Sequence, residues 1–118
     1  MTDNDISARQ LTALYAEGYS IENFERYPRA IGVLRGNCIV LLENASASNA
    51  MPADGMSGLR MLGRPGWRMG GLLGVLVERD GRQVFQYKEE LIEATAERLA
   101  ELKSFTADVE CILRSVVH

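Results

Sequence analysis

The chain has 118 residues, of which 47% are hydrophobic and 25% charged, and its net charge is −3 at pH 7. This length and balance predict a single domain over residues 1–118 and exclude the disordered, collagen-like and coiled-coil classes. The apolar runs are too short to cross a bilayer and the acidic start is unlike a secretory signal, so we expect a cytoplasmic protein with no membrane partner.

The first 28 residues predict a helical segment. Ser7 followed by Gln10 has the form of a capping box, and Gly18 is placed where a helix would end. The apolar residues between them recur at helical spacing. We therefore predict a helix over residues 8–17.

A second, shorter helix is predicted from Ser20 until Pro28 forces the preceding residue into extended geometry. Residues 11–28 then resemble the first two helices of a helix-turn-helix. The second helix carries Glu22 and Glu25, and acidic side chains at that position oppose the phosphates of DNA. We therefore expect no sequence-specific DNA binding.

A first hairpin is predicted after this segment. Residues 30–35 and 38–43 are rich in β-branched and aliphatic side chains and flank Gly36-Asn37, a pair suited to a type II′ turn. The following residues 44–58 are small and polar, with one proline and two glycines, which is typical of a long flexible loop.

A second hairpin is predicted around Asp80-Gly81, a strong type I′ signal between residues 72–79 and 82–88. Both faces of residues 72–77 are apolar. This pattern predicts a strand that is covered on both sides.

The last segment predicts a long helix that begins with Thr95 as its N-cap. Five apolar residues form a seam at alternating steps of three and four: Leu102, Phe105, Val109, Ile112 and Val116. Either the sheet of the same chain or the helix of a second copy covers this seam, and both alternatives stay open. In the second case the five residues form a dimer interface.

Together these segments predict an α+β fold. It consists of an N-terminal helical hairpin, a mainly antiparallel sheet of four or five strands built from two hairpins, and a long C-terminal helix packed on the sheet.

Residues with catalytic or metal-binding chemistry are sparse. His118 is the only histidine and ends the chain, so nucleophilic catalysis lacks a credible base. Cys38 and Cys111 lie in apolar runs without metal-ligand spacing and are expected to be buried. The sequence therefore implies no metal and no cofactor and points away from an enzyme.

The most unusual segment is GRPGWRMGG at residues 63–71. Its glycines let backbone amides approach a ligand, its arginines suit bidentate contact with anions, and the only tryptophan offers a stacking face. The candidate ligand-binding residues are Arg64, Trp67, Arg68, Gly70 and Gly71. The alternative is a Pro-Gly turn that leads into a strand, with the tryptophan closing the core.

Three functions remain open. The first is a non-enzymatic binding or accessory module that self-associates as a homo-oligomer. The second is an enzyme or sensor for a small anionic ligand that uses the 63–71 segment. The third is a binder of RNA or single-stranded nucleic acid, because all eight basic residues within 26–82 are arginines.

Overall fold

A computed structural model describes residues 3–24, 27–44, 58–69 and 72–117. Within them the chain forms an α+β fold of two helices and an antiparallel sheet of eight strands. The helices are α1 (Asp3–Ala16) and α2 (Ala96–Val117). The strands are β1 (Ser20–Phe24), β2 (Tyr27–Arg35), β3 (Cys38–Asn44), β4 (Leu59–Met61), β5 (Gly66–Met69), β6 (Leu72–Arg79), β7 (Arg82–Tyr87) and β8 (Glu90–Glu93).

The strands lie in the order β1-β2-β3-β5-β6-β7-β8, and β4 pairs with β3 on the same side as β5. The predicted α+β class is confirmed, whereas the predicted number of four or five strands is too low. The additional strands are short and gain their hydrogen bonds from neighbours in the sheet, so their own sequences carry little signal. Most of the predicted long loop, residues 45–57, lies outside the described residues.

The end of α1 is confirmed at Gly18, whose φ of 91° favours glycine. The amide of Tyr19 donates to the carbonyl of Leu14 at 3.1 Å, and the amide of Gly18 donates to the carbonyl of Tyr15 at 3.1 Å. This pair of bonds is the Schellman motif, which satisfies carbonyl groups that the end of a helix leaves unpaired.

The predicted second helix is wrong, because Ser20–Phe24 is strand β1 and pairs antiparallel with β2. Its apolar residues have helical spacing, but pairing with β2 and contact across the sheet override that local preference. The ring of Phe24 lies against Gly32, where any side chain would collide with it. The N-terminal helical hairpin and the resemblance to a helix-turn-helix are therefore both incorrect.

Both predicted turns are confirmed. Gly36 has a φ of 61° while Asn37 keeps a negative φ, as a type II′ turn requires. Asp80 and Gly81 both have positive φ, 52° and 78°, as a type I′ turn requires.

The C-terminal helix is confirmed, and the amide of Arg98 donates to the hydroxyl of its N-cap Thr95 at 3.2 Å. It packs on the face of the sheet that carries Val40, Trp67 and Phe85, and these side chains belong to one buried cluster with α1.

Gln10 is the polar centre of this core. The predicted capping box is wrong, because α1 begins before Ser7 and Gln10 lies fully buried inside the helix. Its Nε2 donates to the carbonyl of Leu113 at 3.0 Å, and its Oε1 accepts from the amide of Leu59 at 2.7 Å. One side chain therefore ties α1, α2 and β4 together and satisfies two backbone groups.

A second set of contacts holds α2 on the first hairpin. Arg35 donates to the hydroxyl of Tyr19 at 2.8 Å and to the carboxylate of Asp108 at 2.9 Å. Glu101 accepts from the amide of Asn37 at 3.3 Å and lies 3.7 Å from the sulfur of Cys38. Burial, reinforced by the charge of Glu101, raises the pKa of the Cys38 thiol to about 12.

Candidate functional site

An interruption beside β3 opens the sheet. β4 pairs with one end of β3 and β5 with the other. In the bulge of residues 62–65 between them, the amide of Leu62 still donates to the carbonyl of Leu41 at 2.8 Å, and the chain then leaves the ladder until β5 begins. Within this bulge Gly63 has a φ of 77°, which glycine adopts without strain. The break therefore places a loop between the two paired parts of β3.

The same interruption leaves part of β6 without a neighbour. β5 pairs only with the first three residues of β6, Leu72 to Gly74. β7 pairs with Val75 to Arg79 on the opposite edge of β6. Among the described strands none pairs with the remaining edge of β6. The sheet is therefore split between the bulge and β6.

A groove with a volume of about 1080 Å³ occupies this split. Its sides are the 62–65 bulge and the edge of β6, and one side of α2 completes it. Most of its wall is apolar, including Leu41, Met61, Leu62, Leu73, Val75 and Leu76. A cavity of this size accommodates a drug-sized molecule or a short extended segment of chain.

Two cations and one acid line the groove. Arg64 comes from the bulge and Lys103 from α2, and both are exposed. Neither forms an ion pair within the described part of the chain, where the ion-paired arginines are 35, 60 and 68. The acid, Glu110, lies two helical turns from Lys103, about 10 Å along the axis.

The groove exposes apolar surface that the sequence predicts to be buried. Val75 lines the groove and is 52% exposed, and Leu91, two strands away on the same face, is 53% exposed. The prediction that β6 is covered on both sides is therefore wrong. This face carries more apolar side chains than the core of the chain buries, and an exposed apolar surface of this kind is typical of a binding surface.

The structure distributes the candidate residues of the 63–71 segment over three places. Arg64 lines the groove, while Trp67 is only 7% exposed and stacks on Phe85 with ring centroids 5.1 Å apart. Arg68 lies on the other face of β5 and approaches Glu22 to 3.8 Å. Gly70 and Gly71 lie outside the described residues.

Arg64, Trp67 and Arg68 therefore do not converge on one point. The strand begins at Gly66 and the tryptophan closes the core, as the alternative reading of this segment expects.

The helix seam packs on the chain's own core. Leu102, Phe105 and Val109 are buried there, and Ile112 and Val116 are partly buried. Self-association through this seam stays a prediction, and the buried side chains would first have to leave their core positions.

Three central arginines pair with acidic residues of the chain itself. Besides the ion pair of Arg68, that of Arg60 with Glu43 measures 3.0 Å and that of Arg35 with Asp108 measures 2.9 Å. Paired arginines offer less free charge to phosphates, so this arrangement does not favour the nucleic-acid hypothesis.

Most of the groove cannot be recognised from the sequence. Val75, Leu76, Lys103 and Ala107 all line it, and no local motif marks them. The available signal was the apolarity of both faces of β6, which was interpreted as burial. Cys111 was also expected to be buried and is exposed.

Within residues 3–24, 27–44, 58–69 and 72–117, no helix is long and apolar enough to span a membrane, and no group of three His, Cys, Asp or Glu residues is placed to hold a metal. Comparisons with protein-family models, with curated proteins and with solved structures found no match.

Proposed function

We propose that this protein is a non-enzymatic binding module, in the cytoplasm, whose groove holds a ligand with an apolar body and an anionic end. The observation that carries this proposal is a groove of about 1080 Å³ with a largely apolar wall and two cations that lack ion-pair partners within the described residues. Such sites combine apolar walls with a few polar groups that orient the ligand.

The apolar wall supplies the affinity for the ligand body. Val75 and Leu62 are both exposed, and a ligand that covers them removes apolar surface from water. Each square ångström of apolar surface buried contributes about 25 cal/mol. Each CH₂ group of an aliphatic chain that is buried in the groove should contribute about 0.8 kcal/mol.

The two cations, Arg64 and Lys103, orient the ligand in the groove. A guanidinium binds a carboxylate through two parallel hydrogen bonds, and the ammonium of Lys103 adds a point charge from α2. Glu110 repels an anion, so the carboxylate is expected beside Arg64 or Lys103 and away from Glu110.

A binding role is favoured over catalysis by the chemistry near the groove. The two groups whose pKa is raised, Tyr19 and Cys38, do not line it. Burial is the main cause in both cases, and both groups contact α2 in the sealed core. Perturbed groups of catalytic sites are expected beside the ligand instead.

Calorimetric titration with decanoate and with decanol tests the charge requirement. Decanoate should bind more tightly than decanol, and Arg64→Ala or Lys103→Ala should each weaken decanoate about three- to tenfold while leaving decanol unchanged. Arg82→Ala is the matched control, because Arg82 lies in the β6–β7 turn outside the groove. Equal affinity for both compounds in all variants would contradict the proposal that the ligand has an anionic end.

A second pair of variants tests whether decanoate binds in the groove. Ala107 lines the groove from an exposed position on α2, and Ala100 is exposed on the same helix outside the groove. Ala107→Phe should fill the groove and abolish decanoate binding, whereas Ala100→Phe should bind like the wild type. Absence of decanoate binding to the wild-type protein would overturn the proposed function.

A further inference from the structure

We propose that the natural ligand of the groove is an extended polypeptide segment that adds a strand to the free edge of β6. This inference rests on the proposed function and goes beyond it by naming the class of partner. It follows from the backbone of β6, because an apolar small molecule cannot form hydrogen bonds with the amide and carbonyl groups along its free edge.

The type I′ turn fixes which backbone groups of β6 are free. Arg79 and Arg82 flank its two central residues, so they form a hydrogen-bonded pair. Backbone groups along a strand point alternately to its two edges, and Val77 and Val75 therefore also bond to β7. The amides and carbonyls of Leu76 and Glu78 point to the opposite edge.

The position of Gly74 supports this assignment. Gly74 lies two residues before Leu76 and four before Glu78, so the backbone groups of all three point to the same edge of β6. The carbonyl oxygen of Gly74 faces β5 so closely that a side chain at Gly66 would collide with it. The free groups of Leu76 and Glu78 thus lie on the β5 side, where none of the described strands continues the sheet. Leu76 lines the groove, and Glu78 lies beyond it along the same edge.

Beside the groove, the free edge of β6 lacks the charges that other edges carry, and its charged residues Glu78 and Arg79 lie toward the turn. Sheet edges are commonly blunted by charged residues. The outer strand β8 has Glu90 and Glu93 at its ends, and the outer strand β1 has Glu22 at its centre. By contrast, residues 75–77 of β6 are Val-Leu-Val, and Val75 is half exposed.

A peptide strand fits both parts of the site. Its backbone would bond to Leu76 and Glu78, its alternate side chains would enter the apolar groove, and a carboxylate at its end would meet Arg64 and Lys103. A small amphiphile would use the groove and the cations but leave the edge unpaired. Strand addition therefore explains the edge, the groove and the charge together.

The test uses a library of decapeptides in which Val, Leu, Ile or Phe alternates with Ser or Thr and whose carboxyl termini are free. Peptides are selected on the wild-type protein after depletion on Ala107→Phe. Selected peptides should slow hydrogen exchange at the amides of Leu76 and Glu78. N-methylation of the peptide amides that face β6 should weaken binding at least about tenfold, and N-methylation of the other amides should not.

A protein-side variant provides an independent check. Glu78→Pro removes one free amide, and Glu78→Ala retains it. Proline is tolerated at a strand edge whose amide does not bond within the sheet. We expect Glu78→Pro alone to weaken the selected peptides.

Failures of the two proposals are distinguishable. If decanoate binds but no peptide is enriched over the depleted pool, or if N-methylation has no effect, strand addition is overturned and the groove remains a small-ligand site. If neither decanoate nor any peptide binds, both proposals are overturned.

Discussion

The two ends of the sheet differ in how completely the chain covers them. On the β1–β4 side, helices and side chains cover the strands, and Gln10 satisfies the backbone groups of Leu59 and Leu113. On the β6–β8 side, Val75 and Leu91 are each about half exposed and a groove opens beside an unpaired edge. This difference indicates that the first region maintains the fold and the second is available to bind.

The greatest loss of stability is expected where the two regions meet. Trp67 on β5 stacks on Phe85 of β7, with an angle of 16° between the rings. Trp67→Ala should lower the free energy of unfolding by about 3–5 kcal/mol, because it leaves a large cavity in the core. Urea denaturation followed by circular dichroism measures this loss. A loss below about 1 kcal/mol would mean that the two regions are not joined through this contact.

The next effect is confined to the covered region. Gln10→Met keeps the length of the side chain but leaves the buried amide of Leu59 without its partner, whereas the carbonyl of Leu113 lies within α2 and keeps its helical bond. A buried unsatisfied group costs about 1–3 kcal/mol, so we expect a loss of roughly 2 kcal/mol in the free energy of unfolding. Arg9→Met, at an exposed position of the same helix, is the control and should change it by less than about 0.5 kcal/mol. Equal losses in both variants would refute the role given to Gln10.

A matched pair of substitutions compares the two regions directly. Val40 is fully buried on β3, whereas Val75 is half exposed on β6. The isosteric change Val40→Thr should cost about 1–3 kcal/mol, because it buries a hydroxyl among apolar side chains. Val75→Thr should cost less than about 0.5 kcal/mol and weaken decanoate binding instead. Thermal unfolding and calorimetry on the same samples separate these effects, and a reversed order would contradict the comparison.

A further effect is expected on the dependence of stability on pH. The unfolded Cys38 thiol ionises near its ordinary pKa of 9.0, whereas the folded thiol keeps its proton up to about 12. The stabilisation by the protonated thiol is fully present below pH 9, and the free energy of unfolding should fall as pH rises from about 9 to 12. Cys38→Ala should reduce this slope, and the exposed Cys111→Ala should not. A slope unchanged in Cys38→Ala would exclude the thiol as its source.

The features that the sequence predicted correctly are local ones. The turns at Gly36-Asn37 and Asp80-Gly81 depend on the φ angles of one or two residues, and glycine or aspartate at those positions indicates them directly. The end of α1 is likewise indicated by one residue, Gly18, whose positive φ favours glycine. Such features need no knowledge of what the segment packs against.

The features that were missed depend on residues far apart in the chain. Strand β1 exists because β2 lies beside it, and the groove combines the bulge at Arg64, the edge of β6 at Val75 and the side of α2 at Lys103. Arg64 stands out in the sequence for its chemistry. Its separation from Trp67 is not visible there, because the boundary between the bulge and β5 is set only when β5 pairs with β3 and β6.

Decanoate is expected to bind in the groove beside β6 and not elsewhere on the protein. Amide NMR spectra recorded while decanoate is added locate its binding site. We predict shifts at Leu62–Arg64, at Leu73–Leu76 and along α2 at residues 103–107, with the amides around Gln10 unchanged. Shifts centred on the covered region, or no shifts at concentrations where decanoate stays monomeric, would contradict this expectation.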